Sequence, residues 1–362
     1  MSKLAASSPG LPSELAAIAS RGADLLAALP AASGATKSWL NGNTYEASGD
    51  NASSFDTNGF LLSKSFCSPQ ECEEMIKQMT MLVSRDWKPG AKNAVFRTDS
   101  SQEKAQGSSD YFLDSANRNH FFAEPAAVDE TGTLLPAISD KLLALNKAGH
   151  GLHVGDEVFR NYSTSMKIRD LVASIGWRDP VIPQSMYIFK QPKIGGEVTS
   201  HQDSCFLHTE PRQSCLGLWL ALHDATVENG CLWVRPGSHK EPLRRRFNRN
   251  PAHFAGDKTK PQMVFEKLSD DQVVWEGAMP EGSWPPPSEG LFENGFVPVE
   301  CKAGDLLVFP GTLDHLSLPN YSSKPRHTFQ LHLIEGPGEG VTWSESNWLQ
   351  YPEGEPFISI KK

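Results

Sequence analysis

No stretch of the 362-residue sequence stays apolar for anything like the roughly 20 residues that a membrane-spanning helix needs. Cysteine is scarce: Cys67, Cys72, Cys205, Cys215, Cys231 and Cys301 are the full set, with no C-x-x-C among them. That scatter offers neither a zinc knuckle nor a disulfide framework, and thiols set in apolar segments read as buried, free and reduced. Charge is thin as well, 21% of residues, and a net −9 disfavours unspecific attraction to nucleic acid or to an anionic bilayer. No internal repeat signals a solenoid or a propeller. What is present is a core-forming composition, 39% apolar, without the bias of a disordered chain. The sequence closes on Ile360-Lys361-Lys362 rather than a C-terminal peroxisomal tripeptide, and the expected compartment is the cytoplasm.

Against that background His201-Gln202-Asp203 stands out, answered far downstream by His315 in Gly311-Thr312-Leu313-Asp314-His315. Two imidazoles and one carboxylate are the set that holds non-heme Fe(II) on one face and leaves other coordination positions open. In extended backbone alternate side chains share a face, so His201 and Asp203 can grip one ion while Gln202 points away. A bare His-x-Asp also arises by chance. His208, His223, His239, His327 and His332 read by default as satisfied core or surface groups.

The context is β-rich. Ser185–Gln191 runs toward the first ligand pair through a turn at Pro192 and Gly195-Gly196. Cys215–His223 follows, then Cys231–Val234 between the turn signals Asn229-Gly230 and Pro236-Gly237. Val297–Cys301 and Asp305–Phe309 precede His315, and Arg326–Ile334 is the last predicted strand. Many short strands joined by Gly/Pro turns predict a mainly β fold with flanking helices, a double-sheet jelly roll whose mouth can hold a ligand. If Arg326 faces inward, so do Thr328, Gln330 and His332, a polar interior that implies a polar guest. A guanidinium there suits a carboxylate, which it meets with two parallel charge-assisted hydrogen bonds. The alternative is a solvent-facing Arg326 in a surface pair.

The runs QSMYIFKQP, GGEVTSHQD, CFLHTEP, LGLWLALHDATVENGCLWVRPGSH and WSESNWLQYP resemble the phytanoyl-CoA dioxygenase family, with coverage from about Phe55 to the C-terminal end. The resemblance implies an Fe(II)- and 2-oxoglutarate-dependent oxygenase on a double-stranded β-helix, a cupin-like jelly roll, consuming O2 and releasing succinate and carbon dioxide. It also implies that His201, Asp203 and His315 hold the iron and that Arg326 binds the far carboxylate of 2-oxoglutarate. Lys147 in LNKAGHGLH, Met186 and Trp219 match positions lining the cosubstrate pocket, and Ser317 is expected to assist Arg326. The first three have plain alternatives: Lys147 a solvated helix lysine, Met186 a core gap-filler, Trp219 a packed aromatic.

The rest of the chain frames this unit. Residues 1–54 read as an Ala/Ser-rich extension with a rough helical stripe at Leu15, Ile18, Leu25 and Leu29, ended by Pro30. Residues 55–362 read as one catalytic domain, interrupted by a long Pro-rich connection over about 240–294. That connection carries the basic run Arg244-Arg245-Arg246, either solvated or touching an anionic substrate group, and Trp284-Pro285-Pro286-Pro287 as a lid or wall. Ser68, Pro69 and Glu71 spell a capped helix running to about Leu82; further helices are expected near Ser139–Ala148 and Ser165–Ile175. The expected partner is a small-molecule substrate, and a monomer is the favoured state. Three function classes follow: an oxygenase, a catalytically silent 2-oxoglutarate-binding sensor, or a zinc hydrolase on the same ligands. Halogenation is disfavoured because Asp203 retains the carboxylate that halide would replace.

Overall fold

The segment CLGLWLA, with no polar alternation, is what a strand buried on both faces looks like, and it becomes an interior strand of the eight-stranded sheet. The computed structural model describes residues 51–90, 95–96, 109–268, 291 and 294–361. Helix α1 (Asn51–Asn58) crosses the expected domain boundary and leads into β1 (Leu61–Ser63). Next come α2 (Pro69–Asp86), β2 (Asn119–Ala123), β3 (Leu145–His150), α3 (Met166–Ser174), β4 (Pro180–Ile188) and β5 (Val198–His201). After these lie β6 (Thr209–Glu210), β7 (Leu216–Ala221), β8 (Leu232–Val234), β9 (Arg245–Arg249), β10 (Met263–Lys267) and β11 (Val297–Val299). The chain ends through β12 (Leu306–Pro310), β13 (His315–Ser317), β14 (Thr328–Glu335), β15 (Thr342–Trp343) and β16 (Ile358–Ser359).

The major sheet runs β1-β12-β7-β14-β4-β3-β2, with β16 added to β4, and the minor sheet runs β11-β8-β13-β5. All their pairings are antiparallel. This is the expected double-stranded β-helix. Strand parity divides the major sheet's residues between two cores. Leu216, Leu218 and Leu220 of β7 and Phe329, Leu331 and Leu333 of β14 face outward, onto α2 and α3. Trp219 and Ala221 face inward onto Trp233, Leu316 and Phe309. The inward residues of β14 are Thr328, Gln330 and His332, as the alternation in the sequence predicts.

Helix α2 begins where expected. The Ser68 side chain accepts from the Glu71 backbone N–H at 3.2 Å, and Glu71 Oε2 accepts from the Ser68 N–H at 2.8 Å. Its buried Cys72, Met75, Met79, Leu82 and Val83 repeat at helical spacing against the sheet. The third expected helix is present as α3. The second is not: Lys141–Ala144 forms only a 3-10 turn, and Leu145–His150 is strand β3. Pairing on both sides, to β2 and to β4, outweighs the helical propensity of the Leu/Ala-rich stretch, so Lys147 lies on a strand rather than a helix. The expected long connection also contains order, a β9–β10 hairpin in which Arg245 pairs with Lys267. The Leu15–Leu29 stripe and Trp284–Pro287 lie outside the described residues. All six cysteines are free and buried, and no described helix is long and apolar enough to cross a membrane.

Buried histidines set the acid response. Burial pushes His153, held by Ser185 Oγ, down to about 4, and His327, held by the Tyr187 hydroxyl, down to about 3. Unfolded histidines take a proton near pH 6.5, so below that pH the unfolded chain binds more protons and stability falls. Buried Glu124, pushed up to about 7, works in the opposite direction over the same range, but a single carboxyl offsets only part of what the buried histidines contribute. The unfolding free energy from urea titrations is expected to drop between pH 6.5 and 4.5, by roughly 1.4 kcal/mol per pH unit for each such histidine before Glu124 is subtracted. His327→Gln should flatten that slope; an unchanged slope would remove His327 from the account.

Candidate metal centre and cosubstrate pocket

The minor sheet brings the candidate ligands together. His201 ends β5 and His315 opens β13, and the two are direct cross-strand partners with ring centroids 4.3 Å apart. Asp203 follows in a 3-10 turn rather than on the strand itself, so the chain bends to present it. Its Oδ1 lies 3.4 Å from His201 Nε2 and 3.7 Å from His315 Nε2. One ligand atom from each residue falls within 4.8 Å of the others. Metal bonds of about 2.0–2.2 Å set adjacent ligand atoms about 3 Å apart, so these distances need only slight contraction around an ion. His201 Nδ1 sits 2.8 Å from the Thr199 carbonyl and His315 Nδ1 3.0 Å from the Leu313 carbonyl. Each Nδ1–H donates there, which leaves both Nε2 lone pairs facing the common point. Burial pushes His315 down to about 4, which keeps it neutral for coordination. For Asp203 burial acts upward, but His315 and His332 outweigh it and hold the carboxylate well below its usual range.

Behind the two histidines the backbone is locked by a buried ion cluster. Asp314 precedes His315, and Ser200, which donates to Asp314 Oδ1 at 2.5 Å, precedes His201. Arg244 reaches Asp314 at 2.8 Å and Arg235 reaches it at 3.3 Å. Arg244 is therefore neither solvated nor poised for substrate, against both expectations for that residue; it clips the hairpin to the metal strands. Gln202 turns away from the ligands as expected and accepts from the Arg244 N–H at 3.2 Å. Arg245 lines the cavity, with its guanidinium 4.1 Å from the Phe265 ring centre.

The cavity of about 160 Å³ in front of the triad far exceeds the 10–15 Å³ or so that one water requires on that measure. Arg326 lines its far side, only 2% exposed. Its Nη1 donates to Thr328 Oγ1 at 3.2 Å and its Nη2 to Ser317 Oγ at 3.3 Å, while its Nε is buried without a partner. Among the described residues no carboxylate pairs with it, and burial pushes it down to about 10. A buried guanidinium without a counter-ion is costly, and a dicarboxylate guest would offset that cost. Trp219 flanks it, its ring centre 5.3 Å from the guanidinium carbon. The surface-pair alternative for Arg326 is thereby excluded.

Lys147 enters from β3, 4% exposed, with its Nζ 3.8 Å from Met186 Sδ and 3.3 Å from the Phe96 ring centre. A directed chain orients it. Ser115 donates to the Phe112 carbonyl at 2.6 Å, so its oxygen accepts from His150 Nδ1–H at 2.7 Å. His150 Nε2 is left to accept from Lys147 Nζ at 2.9 Å. Burial pushes the lysine well below its ordinary value. The sequence assigns no role to His150, although it shares the LNKAGHGLH run with Lys147, and does not single out Ser115. Phe206, Phe247, Phe309 and Trp348 supply an aromatic wall.

A family model described as Phytanoyl-CoA dioxygenase (PhyH) matches residues 55–328. The chain belongs to the phytanoyl-CoA dioxygenase family. Phytanoyl-CoA dioxygenase 1 of Oryza sativa subsp. japonica is 42% identical over 298 residues, covering 82% of this chain and 91% of that one. Phytanoyl-CoA dioxygenase domain-containing protein 1 of Bos taurus is 39% identical over 305 residues, covering 84% and 94%. The crystal structure of the epimerase SnoN in complex with Fe3+, alpha ketoglutarate and nogalamycin RO superposes with a TM-score of 0.54 at 13% identity, over 86% of this chain and 97% of that one, a likeness of fold. Family membership makes this chain a non-heme iron, 2-oxoglutarate-dependent dioxygenase that draws on Fe(II), 2-oxoglutarate and O2. The donor set fits: two imidazoles with Nε2 toward a common point, one carboxylate, and a buried guanidinium with no carboxylate partner among the described residues.

Proposed function

We propose that this protein hydroxylates a C–H bond of a small organic or lipid-like substrate, coupled to oxidative decarboxylation of 2-oxoglutarate to succinate and carbon dioxide. One atom of O2 ends in the product hydroxyl and the other in succinate. Residues 55–362 act as the catalytic unit. His201, Asp203 and His315 would hold Fe(II), the ligand set that suits iron used with a 2-oxo acid and O2. Bound iron supplies the oxygen activation that no side chain can.

The chain's own residues bind and orient. Arg326, aided by Ser317 and Thr328, grips the far carboxylate; Lys147, Met186 and Trp219 flank the cosubstrate. The aromatic wall excludes water and offers an apolar surface to the substrate. The observation that carries this reading is the buried guanidinium of Arg326, without a carboxylate partner among the described residues, opening onto the same cavity as the three ligands. A zinc hydrolase has no use for such an anchor.

The test is turnover. Protein purified without oxygen, then given Fe(II), 2-oxoglutarate and air, is expected to form succinate, faster when a true substrate from a panel of apolar small molecules is present. Tight 2-oxoglutarate binding without any succinate would instead make it a sensor, and zinc-supported hydrolysis independent of 2-oxoglutarate would contradict the reading.

A further inference from the structure

The minor sheet carries the two histidine ligands and Asp203 follows in the turn after β5, but the major sheet controls that carboxylate. His332 of β14 and Gly217 of β7 are cross-strand partners, and both face Asp203. His332 is 5% exposed, and its Nε2 lies 3.2 Å from Asp203 Oδ2, the oxygen turned away from His201 and His315. A ligating carboxylate is ionised and only accepts hydrogen bonds, so His332 Nε2 must carry the proton. Its Nδ1 has no hydrogen-bond partner among the described residues. On the other side, a Cβ added to Gly217 would stand 3.3 Å from the same Oδ2 and 2.9 Å from Phe309 Cε2. Glycine there is what leaves room for Oδ2.

We propose that His332 is a positioning residue that ties back Asp203 Oδ2, so that Asp203 meets the metal through Oδ1 alone. A carboxylate free to rotate can bind an ion through both oxygens. On this centre the second oxygen would occupy a position that the cosubstrate or O2 needs, because three protein ligands leave three sites. The hydrogen bond and the Gly217 recess together remove that option. The inference rests on the metal-site reading, and a histidine taken by default as a core group becomes part of the site.

Co(II), a spectroscopically visible stand-in for Fe(II), tests it without turnover. Wild-type protein should bind one Co(II) with a defined visible spectrum; failure to bind would sink the metal-site reading and this inference with it. His332→Phe, similar in size but without the donor, should bind Co(II) on the order of 10- to 100-fold more weakly and with an altered spectrum, while apo thermal stability stays near wild type. His332→Gln, which keeps an N–H donor, should recover most of the affinity. Equal affinity and an identical spectrum in His332→Phe, with wild type binding normally, would overturn the positioning role alone. An independent readout needs no stable Phe variant: 15N-histidine NMR of the Zn(II)-loaded wild type should show His332 as the Nε2–H tautomer, its signal assigned by loss in His332→Gln. An Nδ1–H tautomer would also overturn the role.

Discussion

Replacing His201 with alanine is expected to lower Fe(II)-dependent succinate formation by at least three decades, a loss of about 4 kcal/mol of transition-state stabilisation. His201 supplies one of only three protein donors, and its cross-strand partner His315 cannot move to compensate, because Asp314, Ser200 and Arg244 fix the backbone around both. Asp203→Ala should do the same and also free His332. The informative control is His223→Gln. His223 stacks on His327, 4.6 Å between ring centres, and takes no part in lining the cavity, so its loss should leave activity intact. Comparable losses in the His201 and His223 variants, both folded, would mean that the triad is not the working centre.

Arg326→Met should raise the KM for 2-oxoglutarate at least about 100-fold, within the 2–5 kcal/mol typical of losing one partner of a buried charge pair. The stability readout separates this from structural damage. Without cosubstrate, Arg326 has no carboxylate partner among the described residues, so an apolar residue of similar length should leave the apo fold as stable or more stable. Arg326→Lys should recover little, since an ammonium cannot present the planar fork that meets a carboxylate twice. A destabilised Arg326→Met protein with unchanged 2-oxoglutarate affinity would instead assign Arg326 to the core.

Much of this arrangement was legible in the sequence because the chemistry sits on strands, where parity is strict. Alternation along the predicted strand Arg326–Ile334 already sets Arg326, Thr328, Gln330 and His332 on one face, and Gly/Pro turns mark the ends of the strands that carry His201 and His315. What was not legible depends on tertiary choices. Leu145–His150 has helical propensity yet pairs as a strand on both sides, and only that pairing puts Lys147 in the cavity. Arg244 and Asp314 are 70 positions apart, and nothing local foretells their ion pair. His332 was visible as an inward polar residue, but its hydrogen bond to Asp203 spans 129 positions and depends on the bend after β5. Local pattern gives facing; which inward residues meet is decided by the closure of two sheets.

Anaerobic titration tests most directly whether the triad and Arg326 form one joint site. Wild-type protein with Fe(II) and 2-oxoglutarate together should develop a visible charge-transfer absorption that neither produces alone, saturating at one equivalent of each. The same band should be absent in His201→Ala and shifted to much higher 2-oxoglutarate in Arg326→Met. If 2-oxoglutarate binds equally well with and without the metal and no band appears, the ligands and the guanidinium do not serve one reaction.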